Sequence, residues 1–524
     1  MTFGKSVRGL REQAEMSWEQ LAEALGCSEQ TVRQWEDGDA FPAPEELTCL
    51  ARFFGVSLKR LFFADEELSR AERVRPNYES LPGYEYYPAS LMTEYLQSTE
   101  EGLDIEGYRE LFETVSNMPR GEAQKELGDL LFGIVSAAPA REGYPYVEPS
   151  DLESIRQLRK ACPYGKGPVS DLEEKISGAW YGRICGCLLG KTVEGVRTHE
   201  LIPFLKETGN YPMTRYILKS DLDKTDLSKY EFGFGGRCYA DSIDGMPVDD
   251  DTNYTVLYQE IIERYGRDFT PSHVARIWLL LQPKEFYFTA ERVAYRNFLY
   301  GFVPPDSAFF ENPYREWIGA QIRADYFGYI CPGDPEQAAA MAWRDASVSH
   351  TKNGIYGEMM AAAMIASAAR TSDLEEILQA GLAEIPATSR LYEDVWSVLK
   401  GYREGVSREA CFESIHRKFD EKTSHGWCHV IPNAMIVAAS LLYGGGAYGA
   451  SVCMAVQTGF DTDCNGATVG SILGMANGIR SIPEVWTNPI SDTLYTSLYG
   501  LGTVRISDRI AMTLRHIRAG AGEP

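Results

Sequence analysis

The stretch GFDTDCNGATVGSILGMANG, residues 459–478, indicates more about the fold of this 524-residue chain than any other. After an Asp-Thr-Asp motif, a glycine recurs at every fourth position: Gly466, Gly470, Gly474 and Gly478. This spacing places the glycines on one helical face. Because glycine is a poor helix former, the stripe indicates that a helix or a ligand approaches the bare backbone closely. We predict a helix over 465–479, preceded by Asp461 and Asp463.

A second acidic cluster, Asp249-Asp250-Asp251-Thr252, precedes an apolar periodic segment that predicts a helix over 252–265. Single carboxylates are favoured at helix N-termini, whereas three adjacent acids, or two in Asp-X-Asp, repel one another unless a cation joins them. Oxygen ligands at this density suit Mg²⁺, Mn²⁺ or Ca²⁺, and zinc prefers His or Cys. Each cluster alone is a weak signal, because acidic triplets are commonly solvated helix caps. Together they favour a metal site.

Composition divides the chain into three predicted segments. Residues 1–63 read as short helices, 64–175 as an acidic and aromatic helical connector and linker, and 176–517 as a large Ala- and Gly-rich helical domain. Further helices are predicted in the last two segments, over 107–117, 121–136, 335–346, 355–369 and 373–384. Because alternating β-branched runs are scarce, we predict an all-α protein.

The first segment has the rhythm of a helix, a glycine turn and a second helix between Ser17 and Glu36. It resembles the helix-turn-helix domains of the Cro and phage-repressor class, and the likeness covers nearly all of 1–63. The resemblance implies an ion pair between Arg11 and Glu36. It also implies that five residues face the DNA major groove: Ser28, Glu29, Gln30, Thr31 and Gln34.

The charge of this segment argues against DNA binding. Residues 1–63 hold seven basic and ten acidic residues, a net charge of −3, and DNA affinity depends on neutralising phosphates. The alternative is a helix-turn-helix reused for dimerisation or protein contact. A homodimer is an expectation by resemblance.

Four blocks of the large segment, in order, resemble one known family. They are ISGAWYGRICGCLLGKTVEG at 176–195, Asp250-Asp251-Thr252, Ser349-His350 and Asp461-Thr462-Asp463. This order is similar to that of the ADP-ribosylglycohydrolase family, the dinitrogenase-reductase-activating type of ADP-ribosyl hydrolase. The resemblance implies an all-α fold around two Mg²⁺ or Mn²⁺ ions.

The same resemblance implies roles for individual residues. The implied metal ligands are Asp249, Asp250, Asp251, Asp461 and Asp463. Asp249 and Cys464 each stand where the family commonly has a threonine. Sulfur is a poor ligand for a hard cation, so either Asp249 or a water molecule replaces the second threonine. Glu194 or Asp463 is the implied general acid or base.

Substrate contacts are implied for Ser349, His350, Gly466 and Arg323, the last in a loop over 319–323 that resembles the family's only loosely. The glycine stripe and the helix N-termini are expected to cradle a diphosphate. The alternatives are a loop-holding histidine at 350 and, for Glu194, the exposed end of an apolar helix.

By resemblance, we expect hydrolysis of the bond between ADP-ribose and a protein or small-molecule acceptor, with the acceptor atom left open. The main alternative is a transcriptional regulator whose hydrolase-like domain senses ADP-ribose or a related nucleotide without turnover. A purely structural reuse of the fold is the third. The intact aspartate motifs favour the first reading, and Cys464 favours the second.

Composition sets the cellular context. The net charge of −24 argues against a chain wrapped as a whole around nucleic acid or lying on an anionic membrane. The eleven cysteines form no disulfide ladder or zinc frame, which indicates reduced thiols and a cytoplasmic protein. The uncharged stretch 430–460 is interrupted by Pro432 and Gly444–Gly446, so we predict buried helices and no membrane span.

Overall fold

A computed structural model describes residues 2–62, 76–162, 164 and 166–520. Its contacts divide the chain into two compact units, Met1–Ser80 and Leu81–Pro524. The predicted boundary at residue 63 lies outside the described residues. Residues 81–162, which we assigned to the connector, belong to the same unit as the large helical segment, and the division into three segments stays a prediction.

The described part of the N-terminal unit contains five α-helices: α1 Thr2–Gln13, α2 Trp18–Leu25, α3 Glu29–Asp37, α4 Pro44–Phe54 and α5 Leu58–Phe62. Ser17 and Ser28 cap α2 and α3, because their hydroxyls accept the backbone N–H groups of Gln20 and Thr31. Gly26 ends α2 in the left-handed conformation that glycine adopts without strain.

The predicted ion pair of this unit is present. Arg11 Nε lies 2.6 Å from Glu36 Oε1, and the Trp18 indole N–H donates to Glu36 Oε2 at 2.9 Å. Burial alone would raise the pKa of Glu36, but hydrogen bonds from Arg11 and Trp18 hold it below its ordinary value. The pair fixes α1 against the end of α3.

The C-terminal unit is built almost entirely of helices. They are α6 Leu91–Glu100, α7 Arg109–Ser116, α8 Glu122–Ala137, α9 Leu152–Gln157, α10 Leu172–Lys191, α11 Thr198–Glu207, α12 Asp250–Tyr265, α13 Pro271–Leu281, α14 Ala290–Leu299, α15 Asp306–Phe309, α16 Asp325–Ile330, α17 Pro335–Ala346, α18 Lys352–Ala368, α19 Leu374–Leu382, α20 Arg390–Arg403, α21 Arg408–Lys418, α22 Ser424–Cys428, α23 Val430–Gly444, α24 Tyr448–Gln457, α25 Thr462–Asn477, α26 Glu484–Thr487 and α27 Ile506–Gly520.

Short 3-10 helices and one small sheet complete the two units. The 3-10 helices are Tyr78–Ser80, Gly83–Glu85, Tyr87–Ser90, Glu106–Tyr108, Lys219–Lys224, Leu227–Lys229, Lys284–Phe286, Gln321–Arg323, Ile479–Ser481 and Asn488–Ile490. Strands β1 Thr493–Tyr495 and β2 Thr503–Arg505 pair antiparallel, with Leu494 opposite Val504. The prediction of an all-α protein is confirmed, and the helices predicted over 252–265, 335–346 and 465–479 begin within three residues of α12, α17 and α25.

The glycine stripe of α25 packs against a matching stripe on α10. A Cβ added at Gly182 would lie 2.2 Å from the carbonyl oxygen of Gly470, and one at Gly470 would lie 2.1 Å from that of Gly182. The same reciprocal approach joins Gly186 with Gly466. The glycine stripe of α25 is therefore a contact surface for the helix α10, and the two backbones meet without intervening side chains.

The uncharged stretch 430–460 forms α23 and α24, which are almost wholly buried and are separated by a turn at Gly445 with φ 60°. This agrees with the prediction of buried helices. Among the described residues, no helix combines the length and the hydropathy needed to cross a membrane.

We expect Gly182→Val to destabilise the C-terminal unit by about 1–3 kcal/mol or more, because the added side chain overlaps the Gly470 backbone and α10 must move away from α25. Chemical denaturation followed by circular dichroism measures this loss. Gly133→Ala is the control, since Gly133 lies in α8 with no atom near its Cβ position, and alanine should be neutral or stabilising there. Equal stability of the two variants would contradict the packing.

Candidate functional site

The predicted carboxylates meet at one cavity of about 470 Å³ in the C-terminal unit. They come from the loop after α10, from the start of α12 and from the start of α25, and those lining the cavity are Glu194, Asp249, Asp250, Asp461 and Asp463. The glycine contact explains the meeting, because it brings the end of α10 to the start of α25. There Thr462 Oγ1 donates to the Gly190 carbonyl oxygen at 2.9 Å.

Asp249 has two partners in addition to its place in the cavity. Its Oδ1 accepts the backbone N–H of Asp251 at 2.9 Å and so caps α12, and its Oδ2 lies 2.8 Å from Lys191 Nζ. Lys191, which our sequence analysis did not single out, supplies a positive charge at the side of the cluster where the family resemblance implied a threonine.

Asp251 lies behind the cavity wall and not on it. Its Oδ1 is 3.0 Å from Arg183 Nη2, and its Oδ2 accepts a hydrogen bond from the Cys464 thiol at 3.3 Å. Arg183 also pairs with Asp325 at 2.7 Å, and all of these side chains are buried. Burial still raises the pKa of Asp251 well above its ordinary value despite Arg183, and a carboxylate oxygen of Asp251 lies within 4.8 Å of ligand atoms of Asp463 and Cys464.

The remaining carboxylates are poorly compensated. Burial, and after it repulsion from Glu194, raises the pKa of Asp463 well above its ordinary value, and burial with repulsion from Asp249 does the same for Asp250. Burial, followed by Asp249 and Asp461, raises the pKa of Glu194 to about 7. Asp463 Oδ1 is buried without a hydrogen-bond partner. Oxygen donors with unbalanced negative charge fit a hard divalent cation such as Mg²⁺ or Mn²⁺.

Aromatic side chains form much of the other lining, namely Tyr84, Phe286, Phe288, Trp317 and Trp427. Tyr84 comes from the segment that we assigned to the connector. Its ring packs edge-on against Tyr314 at 5.6 Å, and Tyr314 packs in turn against Trp317 at 4.7 Å. The aromatic composition of 64–175 was the only sequence signal for Tyr84, and no spacing related these five residues to one another.

Arg323, predicted to contact substrate, points away from the cavity. Its guanidinium is fully buried and pairs at 2.6 Å with both Glu291 and Asp345. Glu291 and Gly319 line the cavity, and a Cβ at Gly319 would lie 2.2 Å from Glu291 Oε1. Arg323 thus orients a cavity residue from behind.

Ser349 and His350 are also absent from the carboxylate cavity. Ser349 Oγ and His350 Nδ1 are 2.8 Å apart, and His350 lines a separate apolar cavity of about 410 Å³ beside Trp343. Burial lowers the pKa of His350 well below its ordinary value, so the imidazole is neutral.

The expectation that the glycine stripe cradles a diphosphate is corrected by the packing of α10 on α25. Gly466, which we predicted to bind substrate, faces the backbone of Gly186, and a Cβ there would lie 2.4 Å from the Gly186 carbonyl oxygen. No room for a ligand remains on this face.

Outside the carboxylate cavity, another group of residues has side chains of metal-binding types. The ligand atoms of Glu100, His425 and His429 lie within 4.8 Å of one another. The hydrogen bonds oppose a metal there. His425 Nδ1 accepts the Trp317 indole N–H at 3.2 Å, and His429 Nδ1 accepts the Ile431 backbone N–H at 3.3 Å. Each neutral imidazole therefore carries its proton on Nε2, where a metal would need a lone pair.

The residues predicted to face DNA lie at the start of α3 and along it. Gln30 and Gln34 are exposed, Glu29 pairs with Arg33, and the Ser28 hydroxyl caps the helix and lies 2.7 Å from Thr31 Oγ1. Two amide side chains are therefore free to contact base edges, while the other three make local contacts.

Comparisons with known proteins match both units. The family model for ADP-ribosylglycohydrolase matches residues 168–516, and a helix-turn-helix domain model matches residues 2–61. The HTH-type transcriptional activator BcrR of Enterococcus faecalis is 33% identical over 87 residues, which is 16% of this chain and 43% of that protein. The chain thus matches less than half the length of this curated relative.

A solved structure, titled ADP-ribosylglycohydrolase-related protein complex, aligns with 66% of this chain and 98% of its own at 16% identity and a TM-score of 0.42. A likeness of this size carries no argument about function.

We expect Asp463→Asn to change stability in opposite directions with and without a divalent cation. In EDTA the variant should unfold at a higher temperature than the parent, because repulsion among buried carboxylates is relieved. In MnCl₂ the parent should gain stability, by about 3 kcal/mol at a hundredfold excess over its Kd, and the variant should gain far less.

Differential scanning calorimetry measures both shifts, with Asp268→Asn, an exposed position, as the matched control. A parent protein whose unfolding temperature is indifferent to MnCl₂ would contradict the assignment of a cation to this cavity.

Proposed function

The chain belongs to the ADP-ribosylglycohydrolase family through residues 168–516, and from this we propose that it hydrolyses the bond between the anomeric carbon of an ADP-ribose and an acceptor. The observation that carries the proposal is the meeting of Glu194, Asp250, Asp461 and Asp463 at one aromatic-walled cavity. Hydrolysis places the oxygen of water on the anomeric carbon and a proton on the departing acceptor.

Each part of the cavity has a task in this reaction. The aromatic side chains shield the site from bulk water and pack against the flat rings of the substrate. The Glu194 carboxylate has no lysine or arginine within ion-pairing distance among the described residues, so it is free to take a proton from water and give one to the leaving group. Lys191 holds Asp249 in place through the 2.8 Å contact between Lys191 Nζ and Asp249 Oδ2.

The residues that would hold a divalent cation are Asp250, Asp461 and Asp463, which line the cavity, with Asp249 and Asp251 beside them. Ligand atoms of Asp251, Asp463 and Cys464 lie within 4.8 Å of one another. When bound, Mg²⁺ or Mn²⁺ polarises ribose oxygens and lowers the pKa of a coordinated water. Arg183 keeps Asp251 in place whether or not the cation is bound, because its ion pairs are wholly protein-derived.

We expect Asp461→Ala and Asp250→Ala to abolish release of ADP-ribose, and Glu194→Gln to slow it by about 10²–10⁴-fold, the range typical of a lost general acid or base. The assay uses arginine-linked and serine-linked ADP-ribosylated proteins, with Mg²⁺ or EDTA, and the far-UV circular dichroism of each variant should match that of the parent.

Asp268→Ala is the control and should keep full turnover. Retained turnover in both aspartate variants would overturn the carboxylate mechanism. Tight binding of ADP-ribose by the parent without turnover of any linkage would instead favour a sensor.

A second candidate function, sequence-specific DNA binding by residues 2–61, is favoured by the exposed amides of Gln30 and Gln34 on α3. The likeness of 87 residues of this chain to an HTH-type transcriptional activator supports the same proposal. Few basic residues accompany these amides, so few phosphates are neutralised, and we propose binding that is weak outside the preferred sequence and only shallowly dependent on salt.

Selection from a random DNA duplex library at low salt tests this proposal. The parent should enrich one sequence, and a Gln30→Ala, Gln34→Ala double variant should bind it at least about tenfold more weakly, whereas Gln13→Ala on α1 should not. Failure of the parent to enrich any sequence would favour a protein-contact role for this unit.

A further inference from the structure

Two half-buried arginines stand beside Glu194 without carboxylate partners. Arg197 Nη1 donates to the Gly195 carbonyl oxygen at 2.8 Å, and the Arg197 guanidinium lies 4.6 Å from the ring centroid of Trp427, a residue of the cavity wall. Among the described residues, no carboxylate lies within 4.0 Å of Arg197. Most of its N–H groups therefore have no acceptor in the protein.

Arg237 approaches Glu194 from another part of the chain. Its Nη1 donates to the Glu194 carbonyl oxygen at 3.0 Å, its Nε donates weakly to Gly233, and its guanidinium lies 4.0 Å from the ring centroid of Phe232. It too lacks a carboxylate within 4.0 Å in the part of the chain that the structure describes. Burial lowers the pKa of Arg237, and the nearby Glu194 carboxylate offsets only part of this shift.

Other cations around the cavity are paired, which makes these two distinct. Lys191 pairs with Asp249, and both Lys284 and Arg292 pair with Glu85 at 2.9 and 2.7 Å. The loop that carries Glu194 is flanked by two guanidinium groups that have no ion pair within 4.0 Å among the described residues, although Glu194 and Asp463 act on Arg237, and Asp461 interacts with Arg197, at longer range.

We infer that Arg197 and Arg237 form a binding site for a phosphate group at the edge of the carboxylate cavity. Guanidinium groups match phosphate with parallel N–H donors, and a pair can neutralise a doubly charged group. The glycine face that might have received a diphosphate is closed by the contact between α10 and α25. Arg197 and Arg237 contact the carbonyl oxygens of Gly195 and Glu194 and are therefore charged donors at the Glu194 loop that have no ion pair within 4.0 Å among the described residues.

Two sources of the phosphate share this chemistry. One is the diphosphate of ADP-ribose itself, and this source rests on the proposed function. The other is a phosphate carried by the acceptor to which the ADP-ribose is attached.

Calorimetric titration of the full chain separates the sources. Arg197→Gln and Arg237→Gln remove one charge each, and Arg109→Gln, an exposed arginine of α7, is the control. ADP-ribose is titrated into each protein, and inorganic phosphate is then titrated into each ADP-ribose-loaded protein. Arg197→Lys and Arg237→Lys keep the charge without the planar fork, so they should fall between the parent and the glutamine variants and reveal any merely structural effect.

A loss of ADP-ribose affinity of tenfold or more in both glutamine variants would identify the diphosphate. Unchanged ADP-ribose affinity, with phosphate binding that both variants lose, would identify a phosphate on the acceptor. If neither titration responds to either arginine, the inference is overturned. If ADP-ribosylated substrates are still hydrolysed when neither titration responds, the proposed hydrolysis holds and only the phosphate site is wrong. If phosphate binds but no substrate is hydrolysed, the phosphate site holds and the proposed hydrolysis is wrong.

Discussion

The C-terminal unit depends on the direct contact between the backbones of α10 and α25. Glycine at every fourth position on both helices, such as Gly182 opposite Gly470, lets the two axes approach closer than any side chain would permit. The cost in helix propensity is about 1 kcal/mol for each glycine, which burial on all sides must offset. In return, the end of α10 is held in register with the start of α25, and Glu194 is brought to Asp461 and Asp463.

This helix pairing brings several carboxylates together, and the surrounding residues neutralise their negative charge only in part. Arg183 compensates Asp251 and Lys191 compensates Asp249, while Asp463 keeps an oxygen without a partner. Gathering buried carboxylates costs stability unless a cation joins them. The packing of α10 on α25 thus holds these acids together, and their unbalanced negative charge is the reason that we propose a cation in the cavity.

Local sequence signals predicted the helices and the acidic clusters well, because capping residues, glycine spacing and apolar periodicity act over a few residues. The helix predicted over 252–265, which begins at Asp250, and the close approach at Gly470 are examples. The stripe left open whether a helix or a ligand approached, and the answer required α10, almost 300 residues earlier in the sequence. The pairing of Arg323 with Glu291 and the meeting of Tyr84 with Trp427 at one cavity were beyond sequence reasoning, since no spacing encodes such distant contacts.

The most direct test of the account is a crystal structure of the full chain with MnCl₂ and ADP-ribose, using anomalous scattering to locate manganese. We expect manganese among Asp250, Asp461 and Asp463, with the ribose of ADP-ribose in contact with the manganese ion and beside Glu194. Manganese found only beside Glu100, His425 and His429 would contradict this expectation. ADP-ribose bound away from the carboxylate cavity would contradict it as well.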